Sequence, residues 1–172
     1  PGETFEFTLT GTSVGQSPLE PIPVVIDGTP DSKVVVRDLI PRNTTFNTVT
    51  REGVSQALYH TYGTPLHQYT SVAPADPADV DAIAFAYDIM SPTFSFEVSF
   101  RVRVNDNAAG DIPNTATTYF SDAGIEDTAD SNPVTVTLPG GTTLRARSVP
   151  GTVVAPNQRV WLKVGNAVTF PS

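Results

Sequence analysis

The sequence predicts an all-β fold, an antiparallel sandwich, and three observations predict it. Apolar and polar residues alternate with a two-residue period in several short runs, which is the period of a strand with one buried face. Thr and Val lead the composition at 23 and 21 of 172 residues, and β-branched side chains suit a pleated, half-buried surface. Twelve Gly and 16 Pro supply turns between the runs. This length builds one core and a short appendage.

Taken in order, Phe5, Phe7 and Leu9 alternate with Glu6, Thr8 and Thr10 and open the fold as a strand. After a Pro- and Ser-bearing stretch, Val24 to Ile26 and Lys33 to Asp38 read as neighbouring strands joined by the turn Asp27-Gly28-Thr29-Pro30. Leu39-Ile40-Pro41 closes the second run, because proline cannot donate to a ladder. Thr44 to Phe46 and Ala57 to Tyr59 are weaker runs. Ala78 to Ser91 is ambiguous: Val80, Ile83, Tyr87 and Met90 have helical spacing, whereas Ile83, Phe85 and Tyr87 alternate with alanines between Pro77 and Pro92. The strand reading is preferred there.

The clearest element is Phe94 to Val104, with Phe96, Val98, Phe100, Val102 and Val104 on one face and Ser95, Glu97, Ser99, Arg101 and Arg103 on the other. Asn105-Asp106-Asn107 turns the chain, Asn114 to Phe120 forms a Thr-rich strand, and Val134, Val136 and Leu138 alternate in the next. Strands at this spacing, with turn signals between them, give an immunoglobulin-like antiparallel sandwich over residues 1–138. Residues 139–172 read as a linker and β-rich extension, with a joint at Gly140-Gly141 and short strands at Arg159 to Val164 and Ala167 to Phe170. Pro156 to Val164 repeats the pattern of Pro1 to Leu9, which marks the possible start of a second repeat.

Composition excludes several function classes. With no cysteine, disulfides, thiolate chemistry and cysteine metal sites are absent. A formal charge of −8 and a pI near 4.5 disfavour nucleic acid, which is bound through clustered Lys and Arg. No run is long and apolar enough for a helical membrane span. The first residue is Pro1, with neither Met nor a signal peptide before it, so a matured or excised part of a longer protein is expected.

Three motifs carry a resemblance: Val34-Val35-Val36-Arg37-Asp38-Leu39-Ile40-Pro41-Arg42-Asn43-Thr44-Thr45-Phe46, then Phe96 to Val104, then Ile112-Pro113-Asn114-Thr115-Ala116-Thr117. In this order they resemble the Ig-like repeat of bacterial and archaeal cell-envelope and surface-layer proteins, the domain of unknown function number eleven. The match covers roughly residues 1–138. It departs from the family at Gly11-Thr12-Ser13-Val14-Gly15 with the Pro-rich stretch beyond, and in the long segment from Tyr59 to Pro77. The resemblance implies a spacer or assembly module with no catalytic residues to carry over.

Several residues carry candidate chemistry. Gly11-Thr12-Ser13-Val14-Gly15 has the spacing of a nucleophile elbow, but Pro18 and the prolines beyond deny the helix that motif needs. His60 and His67 lie among Tyr59, Tyr62 and Tyr69, a stretch that reads as a packed loop or as an aromatic surface for sugar rings. Acids gather at Asp76, Asp79 and Asp81, and again at Asp122, Glu126, Asp127 and Asp130. Calcium would need such oxygens, though solvated turns are the ordinary outcome. Lys33 and Lys163 are the only lysines, and Asn114 is a conceivable isopeptide partner. Asn43-Thr44-Thr45 is a glycosylation sequon or simply a turn.

The expected function is therefore a non-enzymatic structural or assembly module of an extracellular or cell-envelope protein, S-layer or adhesin-like. It needs no cofactor, calcium being possible, and its partners are other subunits or domains of the same envelope assembly. Val160, Trp161, Leu162 and Val164 are the expected interface, since they are too few to form a core of their own. The alternative is a carbohydrate- or surface-ligand-binding module using Tyr59, Tyr62 and Tyr69.

Overall fold

The computed structural model describes residues 2–138, 145–147, 153–154 and 160–168. Its strands are β1 Thr4–Ser13, β2 Ile22–Ile26, β3 Thr29–Leu39, β4 Thr44–Arg51, β5 Gln56–Thr61, β6 Gln68–Tyr69, β7 Val80–Tyr87 and β8 Ser95–Val104. They continue as β9 Gly110–Asn114, β10 Ala116–Asp122, β11 Ile125–Asp130, β12 Val134–Leu138, β13 Arg145–Arg147, β14 Val153–Val154 and β15 Val160–Val168. A single 3-10 turn, Pro77–Asp79, is the helical element among the described residues.

The first sheet runs β14-β15-β1-β8-β4. Its alternation follows the sequence: Phe5, Phe7 and Leu9 stand opposite Val102, Phe100 and Val98. The outer face carries Thr8 against Ser99 (3.1 Å), Thr12 against Ser95 (2.9 Å), and Arg51 paired with Glu97. The second sheet runs β11-β10-β3-β2-β6, with β7 on β3 and β5 on β7. Between these sheets lies the main core, in which Phe5, Phe7, Leu9, Phe100 and Val102 meet Val34, Val36, Ile83, Phe85 and Phe120, all buried. Sheet therefore faces sheet, and the fold is all-β and sandwich-like. A third sheet, β13-β12-β9, contributes Ile112, Val134 and Val136 to the same core.

The ambiguous alanine segment is strand β7, and the second sheet's outer face explains its pattern. Ile83, Phe85 and Tyr87 enter the main core, while Ala84 and Ala86 lie in a second cluster with Ile22, Val24, Ile26, Val35, Leu58 and Tyr69. β2 and β6, which pair in parallel at Val25–Gln68 and Ile26–Tyr69, cover that face. A strand buried on both sides reads as a continuous apolar run rather than a clean alternation.

Elsewhere the structure corrects the sequence reading. Asn114 to Phe120 is not one strand: Asn114 ends β9 in the third sheet and Ala116 begins β10 in the second. The acidic segment expected as a turn is β11, paired with β10 from Thr117–Asp130 to Asp122–Ile125. The β2–β3 turn is as expected, with Asp27 and Gly28 both at positive φ (52° and 79°), the backbone of a type I′ hairpin. The two tail strands are a single β15. Gly140-Gly141, Arg159 and Phe170 lie outside the described residues.

Candidate functional site

The histidine segment forms a staple under the loop that follows β5. His60 is buried, with Nδ1 2.5 Å from Asp81 Oδ1 and Nε2 2.8 Å from the Pro65 carbonyl oxygen. Thr64 Oγ1 lies 3.1 Å from the same Nε2, so hydroxyl, imidazole and carboxylate stand in the order of a nucleophile triad. The hydrogen bonds assign another role. A carbonyl only accepts, so Nε2 carries a hydrogen and is no base toward Thr64, whose hydroxyl donates to Thr61 O at 2.8 Å. Asp81 and His60 hold β5, β7 and the loop together.

Beyond it, Arg37, His67, Tyr69 and Tyr119 share the outer face. Tyr69 is 1% exposed and its hydroxyl lies 3.1 Å from His67 Nδ1. Burial raises the Tyr69 phenol, an effect that the hydrogen bond and charge of Arg37 oppose only in part. Burial, then the Arg37 charge, lowers His67, so its neutral ring packs edge-on against Tyr119 at 4.7 Å. A hollow of about 380 Å³ beside them is lined by Ile22, Leu66, His67, Tyr119, Glu126 and Asp127, among others. Of the three tyrosines expected on a ligand surface, Tyr69 is inside, Tyr59 is partly buried against Phe46 at 5.6 Å, and Tyr62 alone is exposed.

A buried polar pair joins two of the sequence motifs. Asn114 Nδ2 donates to Asp38 Oδ2 at 2.8 Å, and Asp38 is fully buried with Oδ1 unpartnered among the described residues. Desolvation pushes its carboxyl up to about 8, against the Asn114 hydrogen bond and the Arg37 charge. Sequence reasoning missed this pair, although a charged pair inside a run of buried valines was a visible signal for it.

Other candidates take ordinary places. Ser13 ends β1 with its hydroxyl buried, and its backbone N–H donates to Phe94 O at 2.8 Å. Lys33 is held by Asp88 at 2.6 Å, while Lys163 stands opposite Thr10 in the first sheet. Neither lysine's chain position adjoins Asn114 in the third sheet. Asn43 is a turn residue at φ 66° whose amide donates to Ala109 O.

The acids do not converge. Asp76 caps the 3-10 turn by accepting from Ala78 N at 2.9 Å, Asp79 lies within that turn, and Asp81 is engaged with His60. Glu126 and Asp127 are successive residues of β11 and so face opposite ways. Asp130 accepts from Thr117 at 2.7 Å, and Asp122 begins the β10–β11 turn. Among the described residues no three His, Cys, Asp or Glu come together to hold a metal ion.

The interface candidates fall on β15, between β14 and β1. Val160, Leu162 and Val164 stand opposite Ser13, Gly11 and Leu9, and Trp161 opposite Thr12. The β1–β15 ladder runs nine pairs without a register shift. At three of the described sheet margins, β4 has two register shifts, β11 carries Glu126, Asp127 and Asp130, and β6 is two residues long. β1 is an interior strand of the first sheet, with β15 on one side and β8 on the other.

The fold defines an all-β, sandwich-like protein. Comparison with family models, curated proteins and solved structures finds no match.

Proposed function

We propose that this chain is a non-enzymatic structural and assembly module: an immunoglobulin-like sandwich of an extracellular or cell-envelope protein, S-layer or adhesin-like, acting on neighbouring subunits or domains. The observation that carries this reading is the ladder on β1, where a strand from beyond residue 138 adds nine register pairs. A ladder of that kind joins segments through backbone hydrogen bonds that must yield together when load is applied along the strands. The three ordered motifs support the envelope setting, and the polar clusters serve to anchor loops: His60 with Asp81, and Asp27 with Ser71 at 2.5 Å.

The second reading, a carbohydrate- or surface-ligand-binding module with or without calcium, draws on the hollow beside His67 and Tyr119 and on exposed Tyr62. Thermal melting and limited proteolysis with calcium, with chelator and with a glycan pool separate the two. The structural module keeps one Tm and one cleavage pattern throughout. A shift with calcium or glycan that disappears in Tyr62→Ala would transfer the function to the second reading.

A further inference from the structure

Asp27-Gly28 is the one Asp-Gly pair of the chain, and no Asn-Gly pair occurs. In such a pair the backbone nitrogen after the acid can reach the side-chain carboxyl carbon, because glycine has no Cβ to hinder the approach. Both residues sit exposed in the β2–β3 turn at positive φ, 52° and 79°. No neighbouring atom lies within 4 Å of the place where a Cβ of Gly28 would stand. Packing leaves this bond unprotected.

Ser71 restrains it instead. The Ser71 N–H donates to Asp27 Oδ1 at 2.9 Å, and the Ser71 hydroxyl donates to Oδ2 at 2.5 Å. Both carboxylate oxygens are therefore held by the chain that leaves β6, and the carbon between them is held with them. These bonds, the hydroxyl's first, lower the Asp27 carboxyl and keep it ionised. An ionised carboxylate is a poor target for a nucleophile, so the clamp acts on charge as well as on direction.

The same clamp fastens the cover of the second sheet. Asp27 N donates to Tyr69 O at 3.0 Å, and β2 pairs with β6 only at Val25–Gln68 and Ile26–Tyr69. A join of two register pairs opens locally before a main core does. Opening there takes Ser71 away and frees the Asp27 carboxyl.

We propose that Asp27-Gly28 is a latent isoaspartate site guarded by Ser71, modified when the cover of β2 and β6 opens and holding that cover open afterwards. The Gly28 nitrogen attacks Asp27 Cγ: the N–Cγ bond forms, the Cγ–OH bond breaks, and the hydroxyl leaves with the amide proton as water. Water then adds to the main-chain carbonyl carbon of Asp27 in the resulting succinimide and breaks its bond to the Gly28 nitrogen. The chain now runs through Cβ and Cγ, with a free carboxylate on Cα. One water leaves and one enters, so mass is unchanged and no co-reactant is consumed. The turn is one backbone atom longer and its carboxylate arm one carbon shorter, so the two Ser71 bonds do not re-form with the hairpin in register. This inference goes beyond the assembly reading and does not depend on it.

The test incubates the full chain in heavy-oxygen water at neutral pH. Peptide mapping then reads residue 27 for isoaspartate and for the heavy oxygen that each succinimide hydrolysis leaves there. A free peptide of residues 22–33 supplies the unguarded rate. The unaltered chain is expected to react several-fold more slowly than the peptide. Ser71→Ala, which removes the hydroxyl and keeps the N–H, is expected to react several-fold faster than the unaltered chain, since a hydrogen bond to a charged group is lost. Ser71→Thr, which restores the hydroxyl, should return the slow rate. A peptide-like rate in the unaltered chain, or a Ser71→Ala rate no faster than that of the unaltered chain, overturns the guard. The purified isoaspartate form is then examined by hydrogen exchange, with faster exchange expected in β2 and β6 while β1 and β8 keep their protection. Full protection of β2 and β6 in that form overturns the claim that the modification holds the cover open.

Discussion

Asp38 and Asn114 form a 2.8 Å hydrogen bond, out of reach of water, between residues 76 apart in sequence. It ties the end of β3 to the end of β9 and so links the second sheet to the third. Burial has raised the Asp38 carboxyl from 3.8 to about 8, which makes it a proton-linked fastening.

The folded chain holds the Asp38 proton more tightly than the unfolded chain does, so this contribution is complete below about pH 4 and is lost as pH rises to about 8. Unfolding free energies from urea titration should fall between pH 5 and pH 8.5, by an amount on the order of a few kcal/mol. Asp38→Asn should flatten that part of the profile. An unchanged slope in the variant would remove Asp38 as its source.

Much of this architecture was legible because alternation reports one-sided burial. Phe94 to Val104 and Phe5 to Leu9 read correctly, since their outer faces meet water or hydroxyl ladders. Asn114 to Phe120 misled because a change of sheet at Thr115 leaves no mark on a run of β-prone residues. β11 misled for the opposite reason: as an exposed edge it carries carboxylates that discourage edge pairing, and these read as a turn. The partners in the His60–Asp81 and Asp38–Asn114 contacts are not readable from sequence because each contact depends on distant segments meeting, although Arg37-Asp38 beside the valine run marks one end of the second.

His60 should behave as a structural residue. His60→Ala removes the partner of Asp81 and the donor to Pro65 O, leaving a largely buried carboxylate poorly satisfied. The expected loss is about 1–3 kcal/mol, with new protease cleavage between residues 61 and 67 under native conditions. Thr64→Val, which leaves the imidazole in place, should keep the loop resistant. Equal cleavage in both variants would assign the anchoring to Thr64 instead.

Phe100 lies at the middle of the main core, buried, opposite Phe7 on β1 and Val49 on β4, with its ring 5.6 Å from that of Phe7. Phe100→Ala should cost about 3–5 kcal/mol, the transfer loss plus the cavity left behind. Chemical denaturation reads this directly. A cost below about 1 kcal/mol would mean that the first sheet collapses into the gap.

Ala84 decides whether the cover of β2 and β6 is a separate layer. Its outward methyl lies in the second cluster with Ile22, Val24, Leu58 and Tyr69, and it is fully buried, so no room remains for a longer side chain. Ala84→Leu should cost about 1–3 kcal/mol through overpacking. The strain should appear as faster hydrogen exchange in β2 and β6 while β1 and β8 keep their protection, because the main core lies on the other side of β7. Uniform loss of protection in all four strands would show instead that cover and core unfold as one cooperative unit.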